Sequence, residues 1–425
     1  MSLNRDSRGV LHLGGVDLAV VLRDAGSPTY VYDLDAIAAE ARDLADAFDG
    51  AAHLIAYAVK ANTAGAVVRT LAAAGCGADI VSRAELRVAL ACGVDPERIV
   101  FSGVAKQDVE LDEAIAAGAR GIAAIQLESV EEVSRVAARA RALGRTARVG
   151  VRINPGIDLE GATHAHIATG HDTAKFGVAC ADVTRAVELV ESFPELALVG
   201  LGCHAGSQFM TLEPYLAAAR VVFDIVRGLR AEGHLRTLAL VDSGGGFGVD
   251  YGGGCSMRPA DFVRAARGEQ QARGLGDLEL TVEPGRSLVG PHGVLLARVV
   301  QSKVAATGRW LMIDAGMNDL LRPALYQAHH PIVSLMQTPR EPLVSWRVVG
   351  PVCESSDDFG AHVLGDGIPV AVAILGTGAY GYTMASVYNG RQLPVEVFVS
   401  AGKTVGRTTR RSVEDWAEER ARAGI

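Results

Sequence analysis

The chain has 425 residues, 49% of them apolar and only 5% aromatic, so it should form more than one domain around cores of Ala, Val and Leu. A formal net charge of −8, with no basic block, argues against nucleic acid or an anionic membrane as a partner. No apolar run is long enough to span a bilayer, and the opening MSLNRDSRGVLHLGG lacks a hydrophobic signal core. The expectation is a cytoplasmic protein. Its cysteines, Cys76, Cys92, Cys180, Cys203, Cys255 and Cys353, are scattered without zinc-like spacing, so no metal site is expected. They read mainly as small core residues.

Near the N-terminus, LHLGGVDLAVVL and TYVYD read as strands. Eight short β-rich runs follow: HLIAYAV, GADIVS, RIVFSG, GIAAIQ, ARVGVRI, LALVGLGC, TLALVDS and LELTV. Alanine-rich stretches of helical spacing lie between most of them. SVEEVSRVAARARALG, for example, opens on a Ser-x-x-Glu cap and closes on Gly. Alternating strand and helix implies parallel strands. Eight such units over about 250 residues fit a (β/α)8 TIM-type barrel; a doubly wound open sheet is the alternative. Later runs, including VSWRVVGPVC, IPVAVAILG and PVEVFVSAGK, alternate in the β manner with few helical interruptions. They predict an all-β C-terminal domain of sandwich or barrel type, and RRSVEDWAEERARA predicts a closing helix. The expected division is a barrel over 36–284 and a β domain over 1–35 and 285–425.

Polar and glycine-rich residues gather where barrel strands end, the place where such barrels carry their sites. Lys60 follows the first strand, Arg152 and Asn154 end the fifth, CHAGSQ follows the sixth, DSGGGFG the seventh and EPGR the eighth. Lys60 has two readings: a strand-end lysine reaching solvent, or an amine held at the barrel mouth for covalent work on a carbonyl. Gly244, Gly245 and Gly246 read as a tight turn or as a cradle of backbone amides for an anion. Their place after the seventh strand favours the cradle. A lysine, a phosphate cradle, a carboxylate (Glu283) and a histidine (His204) together point to pyridoxal 5'-phosphate. Asp79 could steady Lys60 or cap the next helix, and Arg322 with Tyr326 could be an ordinary helix-face pair.

The motifs YAVKAN, THAHIATG, KFG, CHAGSQ, GGGFG, EPGR, MNDLLRPALY, CESSD and GAYGYTMASVYN occur in this order. Through them the chain, from residue 28 to residue 399, resembles the fold-type III pyridoxal-phosphate decarboxylases, most of all those acting on meso-diaminopimelate. The resemblance implies decarboxylation of meso-2,6-diaminopimelate to L-lysine in lysine biosynthesis. It implies that Lys60 holds the cofactor and His204 stacks on it, while Ser207, Gly244, Gly245, Gly246 and Tyr380 hold its phosphate. Glu283 would pair with the pyridine nitrogen, with Arg152 as its neighbour. Arg286, Arg322, Tyr326, Glu354 and Tyr380 would bind substrate, with Arg286 also at the cofactor. Cys353 would supply a proton, entering with Glu354 from the partner subunit of a homodimer.

Two positions depart from the family pattern. Ser356 stands where a glycine is usual and Ala205 where an isoleucine is usual; the first could alter the loop at the dimer interface. Other substrates of the same family (ornithine, arginine, a D-amino acid or a carrier-bound amino acid) are alternatives. An alanine-racemase-like activity is disfavoured by Glu283, because racemases place an arginine at the pyridine nitrogen. A regulator without catalysis would be expected to lack Lys60 or Cys353, and both are present.

Overall fold

The computed structural model describes residues 3–157, 174–254, 257–337 and 341–422. It divides into two compact units: Glu40–Val249 with Cys255–Ser287, and Met1–Ala39 with Asp250–Gly254 and Leu288–Ile425.

The first unit is built on eight parallel strands: β1 (His53–Ala58), β2 (Gly77–Ile80), β3 (Ile99–Phe101), β4 (Ala124–Leu127), β5 (Ala147–Asn154), β6 (Leu196–Gly202), β7 (Leu240–Gly245) and β8 (Glu279–Glu283). Each pairs with the next, and β8 pairs with β1, so the sheet closes into a barrel. These strands coincide with the eight apolar runs of the sequence. They are apolar without alternation because helices cover their outer face while side chains fill the interior. Helix Val130–Ala142 illustrates the local logic. The Ser129 hydroxyl accepts from the Glu132 amide at 3.3 Å, Val133, Val136, Ala137 and Ala140 face inward, and Arg139 and Arg141 lie in the last turn. Those arginines oppose the negative end of the helix dipole.

The second unit is mainly sheet. Its large sheet runs in the order Asp358–Gly365, Leu343–Val349, Gly308–Ile313, Gly293–Ala305, Thr29–Asp33, Val395–Ser400, Lys403–Arg407. Ala371–Leu375 also joins Gly293–Ala305 and carries Ile332–Ser334 on its other edge. The core gathers Leu13, Leu18, Val31, Val294, Leu296, Ala373, Val397 and Val399, each valine or leucine among them stabilising the fold by roughly 1.5–3 kcal/mol when buried. One expectation is corrected here. The run VDLAVVL forms a strand only at Val16–Asp17 and continues as a helix, Leu18–Ala25. The Asp17 carboxylate accepts from the amides of Ala19 and Val20, and this cap starts the helix. The helix predicted near the C-terminus is present at Val413–Arg422. Among the described residues no helix is long and apolar enough to cross a membrane.

Candidate active site

Lys60 leaves β1 on a single 3-10 turn, Val59–Ala61. The turn is fixed by Asn62, whose carbonyl accepts from the Tyr57 hydroxyl at 2.9 Å and whose side chain accepts from the Ala64 amide at 3.0 Å. The Lys60 ammonium pairs with Asp79 at the end of β2, whose side chain is fully buried while that of Lys60 is 34% exposed. Of the two sequence readings of Lys60, simple escape to solvent is therefore set aside. Asp79 steadies the lysine. Burial pushes the Asp79 carboxyl up from the ordinary range, against the pull of the neighbouring Lys60.

The CHAGSQ and GGGFG loops are zipped together. Phe209 donates to the Gly246 carbonyl and Gly248 to the Phe209 carbonyl, each at 2.9 Å. The Gln208 amide group donates to the Val249 carbonyl at 2.6 Å. Gly244 and Gly246 adopt φ of +75° and +91°. A β-carbon on Gly245 would lie 1.9 Å from the Glu283 carbonyl, and one on Gly246 2.2 Å from the Gly206 carbonyl. Only glycine fits these positions, because any side chain there would collide with neighbouring backbone. Asp242 organises the turn by accepting from the Gly244 amide at 2.8 Å.

Glu283 ends β8 and is buried. Its carboxylate lies 3.1 Å from His204 Nδ1. Burial alone would raise its pKa; the His204 hydrogen bond and the nearby positive charges of Lys60 and Arg152 outweigh it and hold the group down to about 2. Asp242 moves the opposite way: burial and the charge of Glu283 push it well above the carboxylate range. The Gly245 amide also approaches His204 Nδ1, at 3.3 Å. While Nδ1 donates to Glu283 it has no lone pair for that amide.

Arg152 acts on Glu283 through its charge, and its hydrogen bonds go elsewhere: to Glu128 at 3.0 Å and to the His204 carbonyl at 3.1 Å. Glu128, missed in the sequence, is a buried hub. It accepts also from the Gly103 amide at 2.7 Å and from the Gly177 amide of the KFG motif at 2.9 Å. The THAHIATG motif lies outside the described residues. Asn154, at the end of β5, accepts from the Gly156 amide at 3.0 Å. Arg286 is buried and donates to the Ser207 hydroxyl at 3.2 Å.

The barrel mouth thus presents a primary amine, an ionised buried carboxylate, and a loop of glycine amides beside Ser207 and an arginine. An aldehyde, a protonated pyridine nitrogen and a phosphate are the complements of these groups, so the donor set fits pyridoxal phosphate.

The second unit carries the other sequence-predicted residues. Arg322 and Tyr326 bound one short helix, Arg322–Tyr326, and Arg322 is buried. Tyr380 has φ of +55°, a left-handed conformation uncommon for tyrosine. Cys353 is exposed, against its first reading as a core cysteine. Cys180 is exposed too, whereas Cys76, Cys92 and Cys203 are buried; Cys255 lies outside the described residues. Glu354 accepts from the Tyr388 hydroxyl at 2.7 Å, and the Cys353 amide donates to the Asn389 side chain at 3.4 Å. Asp357 closes the CESSD turn by accepting from the amides of Met317 and Val352, both at 2.6 Å. Ser356 does not have a positive φ, so the serine meets no backbone demand that only glycine could satisfy.

A closed barrel with this rim defines a pyridoxal-phosphate enzyme. Residues 34–290 match the family model of the pyridoxal-dependent decarboxylase, pyridoxal binding domain, and the chain belongs to that decarboxylase family. It is 40% identical over 415 residues to diaminopimelate decarboxylase of Zymomonas mobilis, covering 96% of each chain. It is 38% identical over 405 residues to that of Pseudomonas aeruginosa, covering 94% of each. Among solved structures, it resembles Helicobacter pylori diaminopimelate decarboxylase complexed with L-lysine, with a TM-score of 0.88, 37% identity, and 95% of this chain and 100% of that one covered. The M. jannaschii enzyme in co-complex with L-lysine gives a TM-score of 0.91 at 33% identity, over 98% of this chain and 97% of that one.

Proposed function

We propose that the chain removes carbon dioxide from meso-2,6-diaminopimelate and releases L-lysine, as a pyridoxal-phosphate-dependent carboxy-lyase of lysine biosynthesis. The observation that carries this reading is the near-full-length likeness to diaminopimelate decarboxylases, joined to a barrel rim that carries both Lys60, held by Asp79, and the buried carboxylate of Glu283. Residues 36–284 form the cofactor domain, and 1–35 with 285–425 the β domain.

When bound, the cofactor supplies an aldehyde for the substrate amine and a ring that takes up the electron pair left by the departing carboxylate. Lys60 is its covalent anchor, and Asp79 keeps that amine aimed. Gly244, Gly245, Gly246, Ser207 and Tyr380 bind its phosphate, with Arg286 fixing the Ser207 hydroxyl. Glu283 stays ionised and so keeps a proton on the ring nitrogen; Arg152 adds its charge nearby. His204 packs on the ring face. Arg286, Arg322, Tyr326, Glu354 and Tyr380 bind the substrate, whose unreacted end is a zwitterion. Arginine suits its carboxylate, because a guanidinium donates two parallel hydrogen bonds. Cys353 delivers a proton to the carbon that lost its carboxylate. It acts with Glu354 in the partner's site of a homodimer, a role their exposure on this chain favours. The compartment is the cytoplasm, in keeping with the free thiols of Cys76, Cys92 and Cys203.

The test is product analysis of the purified, cofactor-loaded protein. With meso-diaminopimelate it should release carbon dioxide and L-lysine in equal amounts. Interconversion of stereoisomers without carbon dioxide would favour the racemase reading instead.

A further inference from the structure

We propose that His330 is a positioning residue for substrate selection. Its neutral imidazole fixes the Arg322 guanidinium by accepting one of its N–H groups, and itself brings no negative charge to compete with the substrate's far carboxylate. The inference rests on the reading of Arg322 as a residue that binds that carboxylate.

His330 is buried, as is Arg322. Its Nδ1 lies 2.9 Å from the Leu375 carbonyl, which can only accept, so Nδ1 carries the proton. Nε2 is then a lone pair, and an N–H of Arg322 donates to it at 2.6 Å. The tautomer is set by the backbone on one side and used on the other. The anchor is rigid. Leu375 ends the strand Ala371–Leu375, which pairs with Ile332–Ser334 immediately beyond His330, and the Leu375 amide donates to the Pro331 carbonyl at 2.8 Å. Tyr251 completes the mount. Its ring lies 4.9 Å from the Arg322 guanidinium carbon and meets the His330 ring edge-on at 5.0 Å between centroids.

An arginine that must recognise a carboxylate needs a fixed orientation and is better oriented by a group that adds no negative charge. A glutamate at position 330 could supply the orientation but would add that charge. A neutral imidazole and a phenol ring orient the guanidinium without neutralising it. His330 touches neither cofactor nor reacting atoms in this account; it acts through Arg322.

The test uses two ligands of the cofactor-loaded protein, followed by the cofactor absorbance. L-Lysine carries the carboxylate that Arg322 would hold; 1,5-diaminopentane is the same molecule without it. Wild-type protein should prefer L-lysine, and Arg322→Leu should lose the preference. His330→Leu and His330→Glu should each weaken L-lysine binding at least about tenfold and leave 1,5-diaminopentane binding unchanged. The KM for meso-diaminopimelate should rise in step, with kcat kept within a few-fold. His330→Gln, which can accept from Arg322 and donate to Leu375, should stay close to wild type. If His330→Leu does not fold, the polar pair His330→Gln and His330→Glu still decides. The proposal is overturned if His330→Glu binds L-lysine like wild type, or if both ligands weaken together. If wild-type protein shows no preference for L-lysine, or Arg322→Leu keeps it, the reading of Arg322 itself falls, and this one with it.

Discussion

Lys60 and Lys106 show how burial and pairing separate a reactive lysine from a structural one. Lys106 is almost completely buried, with its ammonium on Glu132 at 3.1 Å and on the Gln126 carbonyl at 2.6 Å. Lys60 is also paired, but a third of its side chain is exposed, so an aldehyde can reach it. Borohydride reduction of the cofactor-loaded protein should therefore tag one peptide, the one containing Lys60, and Lys60→Ala should remove the tag. A tag on Lys106 or Lys175, found by mass spectrometry of the digest, would refute the assignment. Lys60, His204, the glycine run and Glu283 were legible because each ends a strand inside a recognisable motif. Glu128 and His330 were not, because what defines them is distant: Glu128 gathers Gly103, Arg152 and Gly177, and His330 meets Leu375. Nothing local in the sequence marks either.

At the level of elements, the eight barrel strands could be read because parallel strands covered by helices are continuous apolar runs bounded by turn residues. The same signal misled at VDLAVVL, where a short apolar run fits strand and helix equally. The Asp17 cap was the available clue. The β-domain strand Val395–Ser400 carries a consequence for stability. It pairs in parallel with Thr29–Asp33, and the Tyr32 hydroxyl donates to the Glu396 carboxyl at 3.0 Å. Burial pushes Glu396 up to about 7. A carboxyl raised on folding contributes stability below its unfolded pKa, and this is lost as pH rises through the folded value. The window runs from about 4.5 to about 7. Glu396→Gln keeps an acceptor for Tyr32 and removes the titration. Its melting temperature relative to wild type should improve from pH 5 to pH 8 by about 2–4 °C. A constant difference across that range would show that Glu396 does not titrate there.

For the whole molecule, the proposed role of Cys353 and Glu354 in the partner's site would require two chains for each site. Lys60→Ala and Cys353→Ala should each be nearly inactive. Mixed under conditions of subunit exchange, they should recover about a quarter of wild-type activity, since half the dimers are hybrids with one intact site of two. No recovery while exchange is demonstrated would rule out shared sites.

The proposed specificity depends on recognition of the substrate's unreacted end as a zwitterion. Ornithine and lysine lack the carboxylate there and would leave arginine donors unmatched, a loss of at least about 1–3 kcal/mol for a desolvated group. The most direct measurement is kcat/KM for carbon dioxide release from meso-diaminopimelate, L-ornithine and L-lysine side by side, for wild type and Arg322→Lys. Wild-type protein should prefer meso-diaminopimelate by tens-fold or more, a preference narrowed in Arg322→Lys through a raised KM. Equal efficiency of the wild-type enzyme on ornithine or lysine would contradict it.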